Sequence, residues 1–163
     1  MSILLVEPLT REAFAPFGEV IETDGAAHYP INGGRCERYH ALARAEARGP
    51  GGHVIINIFK GTPYALPLTL TMVERHPFGS QAFFPLSPRP FLVVVAPDEG
   101  GRPGTPRVFL TSPGQGVNYP ANLWHGVLTP LDESQDFLVV DRAGDGNNLE
   151  EFHFPEPYEI RLP

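Results

Sequence analysis

Apolar residues along this chain fall in short runs, most of which alternate with polar ones at every second position. Leu68-Thr69-Leu70-Thr71-Met72 is the clearest case, and a period of two marks a half-buried strand. Ile3-Leu4-Leu5-Val6, Glu19-Val20-Ile21-Glu22 and Arg107-Val108-Phe109-Leu110-Thr111 read as further strands, and so does Asp136 to Arg142 with Phe137 and Val139 in one row. Phe91-Leu92-Val93-Val94-Val95 is apolar throughout, as a doubly buried strand should be. His53 to Lys60 is apolar on both faces and is expected to be central. Thr10-Arg11-Glu12-Ala13-Phe14 is the one helical signal, with Thr10 as N-cap and Glu12 near the positive end. Pro16 and Gly18 keep it short. Residues 97–106 read as a Gly/Pro-rich surface loop, and the tail through Phe152-His153-Phe154 as a segment folding across the barrel or a partner.

The pattern therefore predicts an all-β sandwich or barrel with one or two short helices. Composition agrees. The chain has 163 residues, 42% hydrophobic and 19% charged, with 17 Gly and 19 Pro spread between the apolar runs. That suits one domain over residues 1–163 with its own core. Net charge is −7, Lys60 is the lone lysine, and no basic run is present, which argues against nucleic acid or an anionic membrane as partner. One cysteine, Cys36, excludes an internal disulfide and fits a reducing compartment. With no apolar leader and no apolar run near ~20 residues, a cytoplasmic protein is expected.

Candidate chemistry enters where the Leu68–Met72 row continues. Strict alternation puts Leu68, Leu70, Met72, Glu74 and His76 on one side, so an apolar row ends in a carboxylate and an imidazole. Pro77-Phe78-Gly79-Ser80 then turns the chain, and Gln81, Phe83 and Pro85 continue on a facing strand. Burying a carboxylate is unfavourable unless something compensates it, and a metal or a polar substrate would. In a second stretch, Gly116 to Val127, a short strand enters a Pro-led turn and the next strand opens with Trp124-His125. Trp124 reads as an aromatic anchor beside the site, counted with the substrate-binding residues. Asp141 ends the Phe137/Val139 row, either as an inward carboxylate or paired with an arginine.

Upstream, Arg35 to Leu42 reads as a strand with Cys36, Arg38 and His40 on one face. It is either an exposed charged edge or a source of anion-binding and proton-transfer groups, with Asn32 added. His28, His53 and His153 have no such context. A Gly-x-Ser-x-Gly elbow and a phosphate-binding glycine loop are both missing.

Two hairpins, one carrying acid, His and Gln and a later one a lone His after a Pro turn, resemble the two-part motif of cupins. Glu74, His76, Gln81 and His125 take the metal-ligand slots. At Ile31-Asn32-Gly33, Glu37-Arg38-Tyr39-His40, Glu74-Arg75-His76-Pro77, Gly79-Ser80-Gln81-Ala82-Phe83 and Trp124-His125, the chain is similar to the ureidoglycolate lyase family over essentially its whole length. The resemblance implies a cupin-type β-barrel or jelly roll and commonly a homodimer. It implies cleavage of (S)-ureidoglycolate to glyoxylate and urea in allantoin catabolism. It also implies a divalent metal, nickel being the type, which we place at Glu74, His76, Gln81 and His125; the alternative is a metal-free site in which His76 and His125 exchange protons themselves and Glu74 sets the tautomer. Catalysis then falls to His40, His76, His125 and Glu74, and substrate binding to Asn32, Arg38, Gln81 and Trp124. The alternatives are another small-molecule cupin enzyme or a non-enzymatic ureide- or glyoxylate-binding cupin.

Overall fold

The computed structural model describes residues 1–163, and its regular structure is almost entirely β. Strand β1 (Ser2–Pro8) leads into the one-turn helix α1 (Arg11–Phe14), where the Thr10 hydroxyl accepts the Ala13 amide at 3.1 Å. After β2 (Glu19–Ile21), β3 (Tyr29–Ile31) and β4 (Cys36–Arg38) pair only with each other, as an exposed arm. The long strands β5 (His53–Gly61), β6 (Leu68–Arg75), β7 (Gln81–Pro85) and β8 (Phe91–Ala96) follow. The 97–106 excursion carries a miniature hairpin, β9 (Asp98–Glu99) with β10 (Arg102–Pro103). Then come β11 (Arg107–Leu110), β12 (Gly116–Tyr119), β13 (Trp124–His125), β14 (Thr129–Pro130), β15 (Gln135–Ala143) and β16 (Glu150–Arg161).

These strands make two layers. One sheet runs β11-β1-β16-β6-β13-β8-β14, and an extra β11–β8 pairing closes all but β14 into a barrel. The other, β2-β12-β7-β15-β5, lies against it. Each space has its own core. Leu4, Val6, Leu70, Val73, Val94, Trp124 and Ile160 fill the barrel, while Phe83, Val95, Phe109, Val117, Phe137 and Val139 fill the space between the sheets. Strand β8 borders both, Leu92 and Val94 facing one and Val93 and Val95 the other. Its unbroken apolar run follows from that, with each large side chain contributing about 1.5–3 kcal/mol on burial. The all-β, cupin-type expectation holds, with one short α-helix and a single 3-10 turn at Asn32–Gly34.

Three expectations are corrected. Strand β5 is an edge strand, not a central one. Its inner face meets the core through Phe59, but Val54, Ile56 and Ile58 on the outer face are exposed. The tail is not a strap across the barrel: β16 is one of its staves, between β1 and β6. Finally, the row from Leu68 to His76 does not keep one face. Leu70 and Val73 both point into the barrel core, so the alternation slips between them. The cause is in the partner strand, where the β16 register shifts between His153 and Tyr158. A bulge of that kind re-aims the side chains beyond it. The slip turns Glu74 out of the barrel core and into the space between the sheets.

Candidate functional site

Glu74 and His125 are directly opposite in the β6–β13 ladder, and His125 is opposite Val95 in the β13–β8 ladder. Opposed residues share a face, so both side chains enter the inter-sheet space that Val95 lines. One donor atom from each of Glu74, His76 and His125 lies within 4.8 Å of the others. His76 Nε2 is 3.9 Å from Glu74 Oε1, and the two imidazole rings are 5.1 Å apart. Glu74 and His76 are each about one-fifth exposed, whereas His125 is sealed at 2%. The cluster is therefore open on the Glu74/His76 side.

Both imidazoles are held in one tautomer. His76 Nδ1 donates to the Asn148 carbonyl at 2.9 Å, and His125 Nδ1 donates to the Gly126 carbonyl at 2.9 Å. A carbonyl can only accept, so Nδ1 carries a proton in each ring, and in the neutral form the Nε2 lone pair is the one left free. Both Nε2 atoms are buried and have no hydrogen-bond partner in the chain. An orphaned buried acceptor of this sort costs roughly 1–3 kcal/mol. Burial pushes the His125 pKa down to about 3, against a weaker upward pull from the Gly126 carbonyl, so the ring is neutral at ordinary pH. Burial pushes the Glu74 carboxyl up, with His76 pulling it back. Two imidazoles whose Nε2 atoms have no partner, beside a carboxylate whose charge lacks compensation, are the donor set a divalent first-row metal takes. Backbone carbonyls on the opposite nitrogens are the usual outer support for such ligands. The residues present fit a metal.

The facing sheet supplies the other wall. Gln81 is opposite Tyr119 in the β7–β12 ladder, and the Tyr119 ring stacks on His125 with centroids 4.6 Å apart and planes at 21°. Gln81 Nε2 donates to Asp141 Oδ2 at 3.1 Å, and Asn57 Nδ2 donates to Asp141 Oδ1 at 2.9 Å. Asp141 is thus an inward carboxylate held by two amides and not by an arginine. Arg142 is turned elsewhere, donating to the carbonyls of Arg48, Pro50 and Asp145 and lying over the Phe78 ring. Those contacts gather the loops around the His76 turn. Asn148 caps that turn by accepting the Phe78 amide at 2.7 Å, and the Asn122 amide ties the turn between β12 and β13 to the His76 carbonyl at 2.9 Å.

The structure thus brings together Glu74, His76, Gln81 and His125. It does not bring in the others. Trp124 faces away, because adjacent strand residues point to opposite sides; it packs in the barrel core, donates to Asp98 at 2.9 Å and lies under Arg75. Asn32, Arg38 and His40 sit exposed on the arm, where His28 pairs with Glu37 at 2.9 Å and stacks on Tyr39. The base of the arm is near the cluster, since the Arg48 amide donates to the Phe78 carbonyl and the Ser80 amide to the Glu46 carbonyl. Asn57, Tyr119 and Asn148 had no signal in the sequence as site residues; a polar Asn inside the apolar β5 run was the one available hint. Two cavities of about 540 Å³ each lie elsewhere, around Pro63 and Tyr64. Their linings contain none of the clustered acid and imidazole groups, so the chemistry, and not the volume, locates the site.

Comparison with known proteins shows the family. The family model described as Ureidoglycolate lyase matches residues 1–161. A ureidoglycolate lyase from Mesorhizobium japonicum is 69% identical over 163 residues, covering all of both chains. One from Chelativorans sp. is 63% identical, covering 100% of this chain and 99% of its own. Ureidoglycolate lyase 2 from Rhizobium meliloti is 59% identical over 157 residues, 96% of each chain. A solved dTDP sugar isomerase from Desulfovibrio desulfuricans G20 is similar over 85% of this chain and 83% of its own at 14% identity, but its TM-score of 0.46 carries no weight. The chain belongs to the ureidoglycolate lyase family.

Proposed function

We propose that this chain, acting as one domain over residues 1–163, cleaves (S)-ureidoglycolate to glyoxylate and urea in the breakdown of allantoin. The observation that carries the reading is the pair of orphaned Nε2 atoms aimed at Glu74 in a chain of this family. The substrate carbon bears a hydroxyl, a carboxylate and a ureido nitrogen. The hydroxyl proton leaves to a base, its O–H electrons form the new C=O bond, and the C–N electrons leave with the nitrogen. That nitrogen then takes a proton to complete urea. No water, oxidant or reductant is consumed.

Glu74, His76 and His125 would hold the divalent metal, for which we propose nickel, a good match to imidazole donors. When bound there, the ion would supply Lewis acidity to the substrate's hydroxyl and carboxylate oxygens. Gln81, a weak neutral ligand, is left to the substrate. The fixed tautomers keep both Nε2 lone pairs aimed into the cleft, and the Tyr119 ring excludes water from the inner side of His125. Proton exchange is assigned to His40, and carboxylate binding to Asn32 and Arg38. These three stand on the arm, so this part of the reading requires the arm to meet a cleft, its own or a second copy's. We also propose a homodimer, supported by the uncovered apolar face of β5, and a cytoplasmic site, to which the single free Cys36 is suited. No helix is long and apolar enough to cross a membrane.

The test is direct. Purified protein given (S)-ureidoglycolate should release urea and glyoxylate in equal amounts without ammonia. Release of ammonia, or no release of urea, contradicts the reading.

A further inference from the structure

The groups that the cleft leaves unpartnered are all acceptors: two imidazole Nε2 atoms and Gln81 Oε1. The direction of the Gln81 amide is not free. An ionised carboxylate only accepts hydrogen bonds, so the two amides that reach Asp141 must each turn an NH₂ group toward it. Asn57 does so at 2.9 Å and is anchored a second time on the Val139 carbonyl at 3.3 Å. Gln81 does so at 3.1 Å. With its nitrogen committed, Gln81 can present only its oxygen to the cleft, and that oxygen is buried and unpaired. The side chain stands opposite Tyr119, whose ring covers His125, so the oxygen faces the same space as the imidazoles.

We infer that Asp141 is a positioning residue that sets which way the substrate lies. By locking the Gln81 amide, it fixes a neutral acceptor where a hydrogen-bond donor must come. The inference rests on the lyase reading. Of the substrate's three polar ends, the carboxylate has no donor and would meet a lone pair, and the hydroxyl, which can donate, is the group the lyase reading gives to Glu74, His76 and His125; the ureido N–H groups are what is left. The ureido end therefore lies against Gln81 on the five-stranded wall, and the hydroxyl and carboxylate lie toward Glu74, His76 and His125. Asp141 touches no reacting atom. Its replacement by a neutral amide would free Gln81 to flip and present NH₂ instead.

The experiment is steady-state turnover of (S)-ureidoglycolate, with inhibition by each product, for Asp141→Asn, Gln81→Met and the double variant. Metal content is measured on each. Loss of one neutral hydrogen bond predicts KM raised about tenfold in Asp141→Asn, with kcat within about threefold. Inhibition by urea should weaken by a similar factor and inhibition by glyoxylate should not change. Asp141→Asn should add nothing in the Gln81→Met background, because the two act as one unit. Gln81→Met removes the acceptor and leaves Asp141 to Asn57 alone; if Asp141→Asn does not fold, an unchanged KM or unchanged urea inhibition in Gln81→Met overturns the inference. An unchanged KM, equal weakening by both products, additive effects, or lost metal would overturn the inference. Active wild type with indifferent variants sinks this inference alone; wild type that releases no urea sinks the lyase reading and this inference with it.

Discussion

Glu74 and His125 occupy directly opposed positions in the β6–β13 ladder. That single pairing makes a carboxylate on β6 and an imidazole on β13 share one face. Neither is satisfied by the chain alone: His125 Nε2 has no partner, and burial raises the Glu74 carboxyl. Substituting Glu74→Gln keeps the shape and removes the charge. Divalent-metal affinity, measured by calorimetry, should fall at least about 100-fold, while the melting temperature of the metal-free protein holds or rises. Unchanged affinity would take Glu74 out of the ligand set.

The loops around His76 depend on a close approach at Gly79. A Cβ there would come within 2.7 Å of Arg142 Cβ and 3.2 Å of the Glu46 carbonyl oxygen. Arg142 ties three backbone carbonyls together beside this turn. Gly79→Ala should therefore destabilise the protein by about 1–3 kcal/mol in urea unfolding. Because the same turn holds His76, metal affinity should fall as well.

The buried His125 gives stability a pH dependence of definite sign. Its pKa is near 3 in the folded chain, against an ordinary 6.5. The contribution is present in full above 6.5 and is lost as pH falls toward 3, because the unfolded chain takes up a proton that the folded chain refuses. The slope is at most about 1.4 kcal/mol per pH unit. Glu74, raised by the same burial, binds its proton more readily when folded and offsets part of this at the acid end. Urea unfolding of metal-free protein from pH 7 to 4 should show the loss in wild type. In His125→Gln that component should be absent.

The outer face of β5 carries Ile56 at 74% exposure with Ile58 at 54%, Val54 at 44% and, from β15, Leu138 at 36%. An apolar edge of this kind invites pairing. In sedimentation velocity the wild type should run as a dimer and Ile56→Glu as a folded monomer. Equal sedimentation of the two would move the interface elsewhere.

Much of this was legible in the sequence because strands write their faces into alternation. The Phe137/Val139/Asp141 row and the Glu74/His76 pair before the turn could be read directly, although the two strands joined by that turn belong to different sheets and form no hairpin. What was hidden depends on partners distant in the chain. The slip between Leu70 and Val73 originates in β16, some eighty residues later, and is invisible in β6 itself. Strand β5 reads as central because an apolar face looks the same whether a sheet, a second copy or water lies beyond it. Trp124 sits beside His125 in sequence, yet strand geometry sends the two side chains into different cores. Asn148 contributes a backbone carbonyl to His76, and a backbone group has no sequence signature.

The central claim is that a metal held by Glu74, His76 and His125 supports ureidoglycolate cleavage. The measurement that tests it most directly is urea and glyoxylate release by protein stripped with chelator, verified free of metal, and resupplied with single divalent ions. The account predicts activity lost on stripping and restored, nickel being most effective, together with no restoration in Glu74→Gln. Full activity in verified metal-free protein would contradict it.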